Sequence, residues 1–294
     1  MNTANPAMAS TSWWSAAQAC ARWCRGNLLL ASCIGGLALI VLLALFAPWL
    51  GLPDPTAIDF SAKLRPPGAE HWFGTDGLGR DIFSGVVYGA RVSLLVAVGV
   101  VVIAAAIGIP IGLLAGYAGG WIDAICMRIS DIFLAFPPLL LPITLSALLG
   151  PGLFNAMIAV AISWFPWYAR IIRASVLSVK SELFVQSARA IGTSPLVIAW
   201  RHVLPNSLAP VIVQASLDFG FAILTTASLS FIGMGAVPPA VEWGLMVASS
   251  RSLFLGYWWT AMFPGLAIFL TVFFANVIVD GLRDALGVQA GRPA

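Results

Sequence analysis

The sequence predicts an all-α polytopic membrane protein with six transmembrane helices and with its N- and C-termini cytoplasmic. Three observations carry that expectation. Hydrophobic residues make up 60% of the chain and charged residues only 9%, where soluble domains carry roughly 25% charged residues. Six apolar runs are each long enough to cross a bilayer, since a ~30 Å hydrocarbon core needs about 20 helical residues. Lys and Arg are shared unevenly between the segments that join those runs.

Residues 1–27 form an N-terminal segment, Ser/Ala-rich, with Trp13, Trp14, Trp23, Arg22 and Arg25. Tryptophans and arginines ahead of an apolar run suit a cytoplasmic, interfacial helix. Residues 28–50 form the first span; the run exceeds a signal-peptide core and lacks a convincing small-x-small cleavage site, so it reads as a retained helix. Residues 51–86 form an external loop with Asp54, Asp59, Glu70, Asp76 and Asp81. Residues 87–282 form a five-helix core, with apolar runs at about 91–117, 124–149, 153–177, 208–235 and 259–281. Residues 283–294 form a cytoplasmic tail. Pro110, Pro137, Pro138 and Pro142 stand where these spans are expected to kink.

With the N-terminus inside, the inner segments hold ten Lys/Arg and the outer ones five, so the positive-inside rule selects that orientation. A net charge of +3 is too small to imply nucleic acid. The four cysteines include no CxxC pair, and Cys20 and Cys24 lack a nearby His or acidic partner. Neither a metal site nor a disulfide scaffold is expected.

The second span carries Gly108, Gly112, Gly116 and Gly120 at four-residue intervals, a stripe that lets another helix approach closely. The stretch 180–206, containing "QSARAIGTSPLVIAWRHVLPN", interrupts the apolar pattern. Gly192 supplies a left-handed stop for a helix over 182–191. Ser194 and Pro195 read as an N-cap and first helical residue of a second helix, ending near Leu204-Pro205. Ile198 and Trp200 offer apolar contact; Arg201 and His202 offer charge. On the residues alone two readings stand: a rigid knob that docks into a groove on a soluble partner, or an amphipathic loop lying on the headgroups.

Asp218 falls about eleven residues into the fifth span, ~16 Å deep. Ser207, Gln214, Asp218 and Thr225 share one helical face, read as pore lining. Asp218 there either attracts a cationic group on a substrate, pairs with another subunit, or is a protonated acid bonded to a neighbouring helix. Arg128 and Asp131, three apart, are expected to pair. Asn276 and Asp280 share a face of the last span with Arg283 nearby. In the external loop, His71, Asp76, Arg80 and Asp81 suit folding and docking better than catalysis or metal binding.

No catalytic residue is expected. The two histidines, His71 and His202, fall on opposite sides, and neither GxSxG nor HExxH occurs. There is no GxxxxGK[ST] phosphate loop, and the only lysines are Lys63 and Lys180. ATP chemistry, if used, belongs to other chains. A proton-coupled secondary transporter using Asp218 is the competing class, and it predicts internal symmetry that the six runs do not display.

The 180–206 stretch resembles the EAA loop of ABC-importer permeases. Gly192, Leu204 and Pro205 fall on the pattern, Ala188 matches its second alanine, and Gln186 and Ser187 replace the Glu and first Ala. "FGTDGLGRDIFSGVVYGAR", which contains Gly74, Thr75, Asp76, Gly79, Arg80 and Asp81, resembles the external-loop signature of the second permease in dipeptide, oligopeptide and nickel importers (DppC/OppC type). "SLSFIGMGAVPPAVEWGLM" and "DGLRDAL" are similar to that branch too, and the resemblance covers about residues 20–288. It implies a type I, MetI-like permease core in a bacterial inner membrane, forming half of a pore. The other half is a homologous second permease. Two cytoplasmic ATP-binding subunits, holding ATP and Mg, dock on the EAA loops, and an external binding protein delivers substrate. Dipeptides or short oligopeptides are the implied cargo, with nickel or a metal chelate the alternative.

Overall fold

The computed structural model describes residues 27–285. The predicted interfacial segment with Cys20 and Cys24, the tail beyond 285, and the side chain of Arg283 lie outside the described residues. Among the described residues the architecture is all-helical, apart from one isolated bridge between Thr75 and Asp81.

Helix α1 spans Leu28–Phe46 and runs into a 3-10 turn, Ala47–Trp49. Helix α2, Ile82–Ala118, has 37 residues and is therefore ~55 Å long, well beyond a ~30 Å hydrocarbon core. It starts on the Asp81 cap and stops at Gly119, whose φ of 68° leaves the helical region. Helices α3 (Gly120–Leu134) and α4 (Leu140–Leu149) follow, then α5 (Leu153–Val179). The segment 180–208 holds α6 (Leu183–Ala190), α7 (Pro195–Val197), a π-helical stretch (Ile198–Val203) and α8 (Leu204–Ser207). Helices α9 (Ala209–Phe231), α10 (Trp243–Ser249) and α11 (Trp259–Ala285) complete the described part.

Among the described residues, four stretches are long and apolar enough to cross a membrane: Leu28–Trp49, Ile82–Ala118, Ala209–Phe231 and Trp259–Gly281. The other two predicted spans differ. The run at 124–149 is not one helix, because residues 135–139 leave the helical path between α3 and α4. Pro137 and Pro138 offer no N–H and crowd the preceding turn, which breaks the hydrogen-bond ladder there. Helix α5 has the length, but it is amphipathic and carries Arg170 and Arg173 on its exterior.

The pairing of α2 with α5 is the backbone of the bundle. A Cβ on Gly108, Gly112 or Gly116 would come within 2.5, 2.2 and 2.8 Å of atoms of α5. Only hydrogen at those positions permits the approach, which gains dispersion contact that lipid cannot match. Gly120 does not join this stripe: its φ is 57° and nothing lies near its Cβ position. The helix has already ended at Gly119, so the four-residue period no longer applies.

Helices α2 and α5 run parallel, since Gly99 meets Met157, Gly108 meets Phe165 and Gly116 meets Val176. Helices α3 and α4 together therefore return the chain along the bundle. Helix α1 runs antiparallel to α11, with Gly36 against Phe274 and Leu30 against Gly281. Ala44, at the end of α1, packs in one core with Ala90 and Val96 near the start of α2. The start of α1, the end of α11 and the 180–208 segment thus share one end of the bundle. The 51–81 loop occupies the other.

Candidate functional site

At the first of these ends, α6 closes with a pair of bonds: Gly192 N–H to Arg189 O at 3.0 Å and Thr193 N–H to Ala188 O at 3.1 Å. This is the Schellman arrangement, and Gly192 takes the left-handed position with φ 80°. A Cβ there would meet nothing within 4 Å, so the backbone conformation, not crowding, calls for glycine. Ser194 stands at the N-cap and Pro195 at the first helical position, but the Ser194 hydroxyl makes no capping bond. Its carbonyl instead accepts the Ile198 N–H at 3.0 Å.

The helix that starts there does not end at Leu204-Pro205. It widens into the π-helical stretch and continues through Pro205 to Ser207. A proline inside a helix lacks an N–H and presses on the carbonyl four residues back; widening the turn just before it relieves that clash. Asn206 and Ser207 add side-chain bonds to the carbonyls of His202 and Val203, at 2.6 and 2.9 Å.

One face of this segment is anchored. Val185, Ala188, Ile198, Ala199 and Val203 are buried in a core shared with Leu113 of α2 and Tyr168, Ile172 and Val176 of α5. Other side chains stand open: Leu183 is 78% exposed, Ile191 83%, Leu196 70% and Trp200 52%, the last two bordering a groove against Leu114 and Tyr117 of α2. Gln186, Ser187, Arg201 and Pro205 are exposed around them, and His202 is half-buried. Gln186 donates from Nε2 to Ser181 O at 2.9 Å, so its amide folds back onto the segment itself. Several large apolar side chains are thus left uncovered on an anchored scaffold.

Charged groups tie the neighbouring helices together. Arg173 of α5 makes two bonds of 2.5 Å to Asp123 of α3. Asp131 of α3 pairs with Arg170 of α5, not with Arg128 as predicted. Residues three apart on one helix share a face, but the arginine across the helix pair points its fork at the carboxylate.

The predicted pore-lining face does not look outward from this chain. Ser207, Asp218 and Thr225 are buried and Gln214 half-buried. Gln214 donates to Asp218 Oδ1 at 2.8 Å. The hydroxyl of Tyr168, from α5, is buried close to the Asp218 carboxyl but outside hydrogen-bond geometry. The stripe turns inward because α9 buries it against its own neighbours, leaving Ile212, Phe221, Leu224 and Phe231 on its exposed side. Asp280 is exposed in α11.

The 51–81 loop is a closed fold. Asp76 accepts from the backbone of Leu78 and Arg80 at 2.8 and 2.9 Å and from Arg80 Nε at 2.7 Å. Asp81 caps α2 through Ser84 N–H at 2.7 Å and contacts His71 Nδ1 at 2.8 Å. Thr75 is fully buried; its hydroxyl accepts the Arg65 N–H at 2.9 Å and donates to Ala62 O. Trp259 Nε1 donates to Thr75 O at 3.2 Å, and Phe73 stacks on Phe263 at 4.0 Å, fastening the loop to the start of α11. Gly74 and Gly79 both have positive φ and no room for a Cβ, which at Gly79 would fall 1.7 Å from Asp59 O.

Two groups escaped the sequence reading. Glu242 is buried and accepts from Gly244 N–H at 2.8 Å and Leu245 N–H at 2.9 Å, capping α10. The signal was an acid directly ahead of a Trp-Gly helix start, inside a stretch already singled out. Lys180 donates to Gly116 O at 2.7 Å, a contact between distant residues that no local pattern announces.

Residues 108–288 match the family described as "Binding-protein-dependent transport system inner membrane component". The chain is 50% identical over 255 residues to the Escherichia coli (strain K12) protein named "Probable D,D-dipeptide transport system permease protein DdpC", covering 87% of this chain and 86% of that one. It is 50% identical over 246 residues to the "Dipeptide transport system permease protein DppC" of Alkalihalophilus pseudofirmus, covering 84% and 81%. The "Glutathione transport system permease protein GsiD" of Escherichia coli O1:K1 / APEC is 44% identical over 249 residues, covering 84% and 82%. Among solved structures, an inward-facing MetNI methionine ABC transporter chain superposes with a TM-score of 0.57 at 18% identity, over 70% of this chain and 97% of its own. At that identity the likeness concerns the fold.

Proposed function

The chain belongs to the family of binding-protein-dependent transport system inner membrane components, and from that premise we propose a specific role. It is the permease subunit of an ATP-driven importer, forming half of a translocation pore for dipeptides or short oligopeptides. An external binding protein delivers the peptide, and a homologous second permease supplies the other half. Two cytoplasmic subunits bind ATP and Mg and carry out hydrolysis, so this chain is not itself an enzyme.

The observation that carries the reading is the 180–208 segment. Its inner face is locked into the core of α2 and α5 while Leu183, Ile191, Leu196 and Trp200 stand uncovered. A docked ATPase would cover that apolar face, and the buried face would pass its motion to the spans. The start of α1 and the end of α11 lie at the same end of the bundle as this segment, which supports cytoplasmic termini in a bacterial inner membrane. The chain then crosses six times, with α3 and α4 as a broken third crossing. Of the two cargo classes, peptides are favoured by relatives named for dipeptide, D,D-dipeptide and glutathione transport.

Purification of the tagged chain from its native membrane in mild detergent, with mass spectrometry of the retained proteins, tests this. A second permease and one or two ATPase subunits are expected, and the ATPase subunits should be lost when Leu183 and Ile191 are both changed to Ser. Recovery of the chain alone would overturn the half-pore reading and favour proton-coupled transport through Asp218.

A further inference from the structure

A helix leaves its last four carbonyls without intrahelical partners, and in α2 these belong to residues 115–118. Ala115 O takes the Gly119 N–H at 3.0 Å. Gly116 O takes the ammonium of Lys180 at 2.7 Å. The carbonyl end of a helix carries partial negative charge, so the ammonium is held by the helix dipole as well as by the bond. Asp123 lies close enough to add a second attraction for Lys180. Beside this contact, the Arg189 guanidinium stands 5.8 Å from the centre of the Tyr117 ring, within cation–π range.

Lys180 caps the end of α5, three residues ahead of α6, and Arg189 lies in the last turn of α6. The final turn of α2 therefore holds the α5–α6 junction on one side and the end of α6 on the other. At its other end α2 begins on Asp81, inside the closed 51–81 loop. One continuous helix of ~55 Å joins the two, unbroken even at Pro110.

We propose that Lys180 and Arg189 are positioning residues that fix the 183–207 segment to the end of α2, making α2 the relay between that segment and the loop fold at the far end. The inference rests on the importer reading, because it is displacement driven by the ATPase subunits that α2 relays.

The test uses the full complex in nanodiscs: this chain, its partner permease, the ATPase subunits and the binding protein. Lys180→Met removes the ammonium at similar length, and Lys180→Arg retains a cation. Hydrogen exchange across residues 183–191 should rise about tenfold in Lys180→Met, in keeping with loss of one charge-assisted bond, and stay near wild type in Lys180→Arg. Tyr117→Leu, which leaves the ammonium in place, should shift exchange in the same direction by less. The ratio of ATPase rate with binding protein and alanyl-alanine to the rate without them should fall in Lys180→Met and recover in Lys180→Arg. Unchanged exchange in Lys180→Met overturns the grip. Raised exchange with an unchanged ratio overturns the relay. Raised exchange alongside a wild-type complex that never responds to the loaded binding protein keeps the grip and counts against the importer reading instead.

Discussion

In the 51–81 loop, polar groups close on one another: Asp76 holds Arg80, Asp81 holds the start of α2 and His71, and Thr75 is sealed beneath Trp259. In the 180–208 segment, at the opposite end, the polar groups mostly bond back to their own chain while Leu183, Ile191 and Leu196 stand uncovered. Both regions lack long helices, and both turn on glycines with positive φ. They differ in what those glycines face. Gly79 is pressed against the backbone of Asp59, whereas Gly192 has open space around it. A region that must hold its shape unaided spends its backbone freedom on close internal contact. On the proposed reading, a region that awaits a partner uses it to aim a helix and leaves the outer surface uncommitted.

Four substitutions and a titration test this contrast, in descending order of effect on folding. Gly79→Ala should be the most damaging, because a left-handed conformation and a clash with Asp59 act together. A loss of about 3 kcal/mol or more is expected, read as a lowered thermal midpoint of the detergent-solubilised chain. Asp81→Ala should cost about 1–2 kcal/mol by uncapping α2, with faster hydrogen exchange confined to the first turns after Ile82. Gly192→Ala should cost only about 1 kcal/mol, the price of a left-handed residue with room to spare; a loss as large as that of Gly79→Ala would erase the distinction between the two ends.

Leu183→Ser should change the thermal midpoint of the isolated chain by no more than about 0.5 kcal/mol equivalent. It should nonetheless weaken retention of ATPase subunits; marked destabilisation would show that this face is covered by the chain's own residues. The smallest effect is electrostatic. Hydroxyl and backbone hydrogen bonds from Thr56 and Ser61 hold the Asp54 and Asp59 carboxyls below the usual carboxylate range. Groups with lowered folded pKa stabilise the loop above the unfolded value, about 4, and that contribution fades as pH falls through the folded one. Proteolysis of the loop should therefore accelerate slightly below about pH 4, and less so in Asp59→Asn.

Much of this is legible in the sequence. The runs that became α1, α2, α9 and α11 are read from composition and length, because a helix satisfies its own backbone in lipid and needs no distant partner to do so. The glycine stripe at 108, 112 and 116 and the turn at Gly192 are equally local, set by a missing Cβ and a short period. The Pro137-Pro138 break was also written locally, yet the apolar composition around it suggested one uninterrupted span.

What the sequence determined by itself is thus the set of helical, membrane-scale segments and the special turn between α6 and α7, each governed by residues within a few positions of one another. What only the tertiary structure decided is which face meets which. Asp131 finds Arg170 on another helix, Asp218 turns inward beside Tyr168, and Lys180 reaches the end of α2 from across the bundle. These choices depend on the register and rotation of one helix against another, which the close packing at Gly112 fixes. Helical periodicity names a face but leaves open what that face will meet.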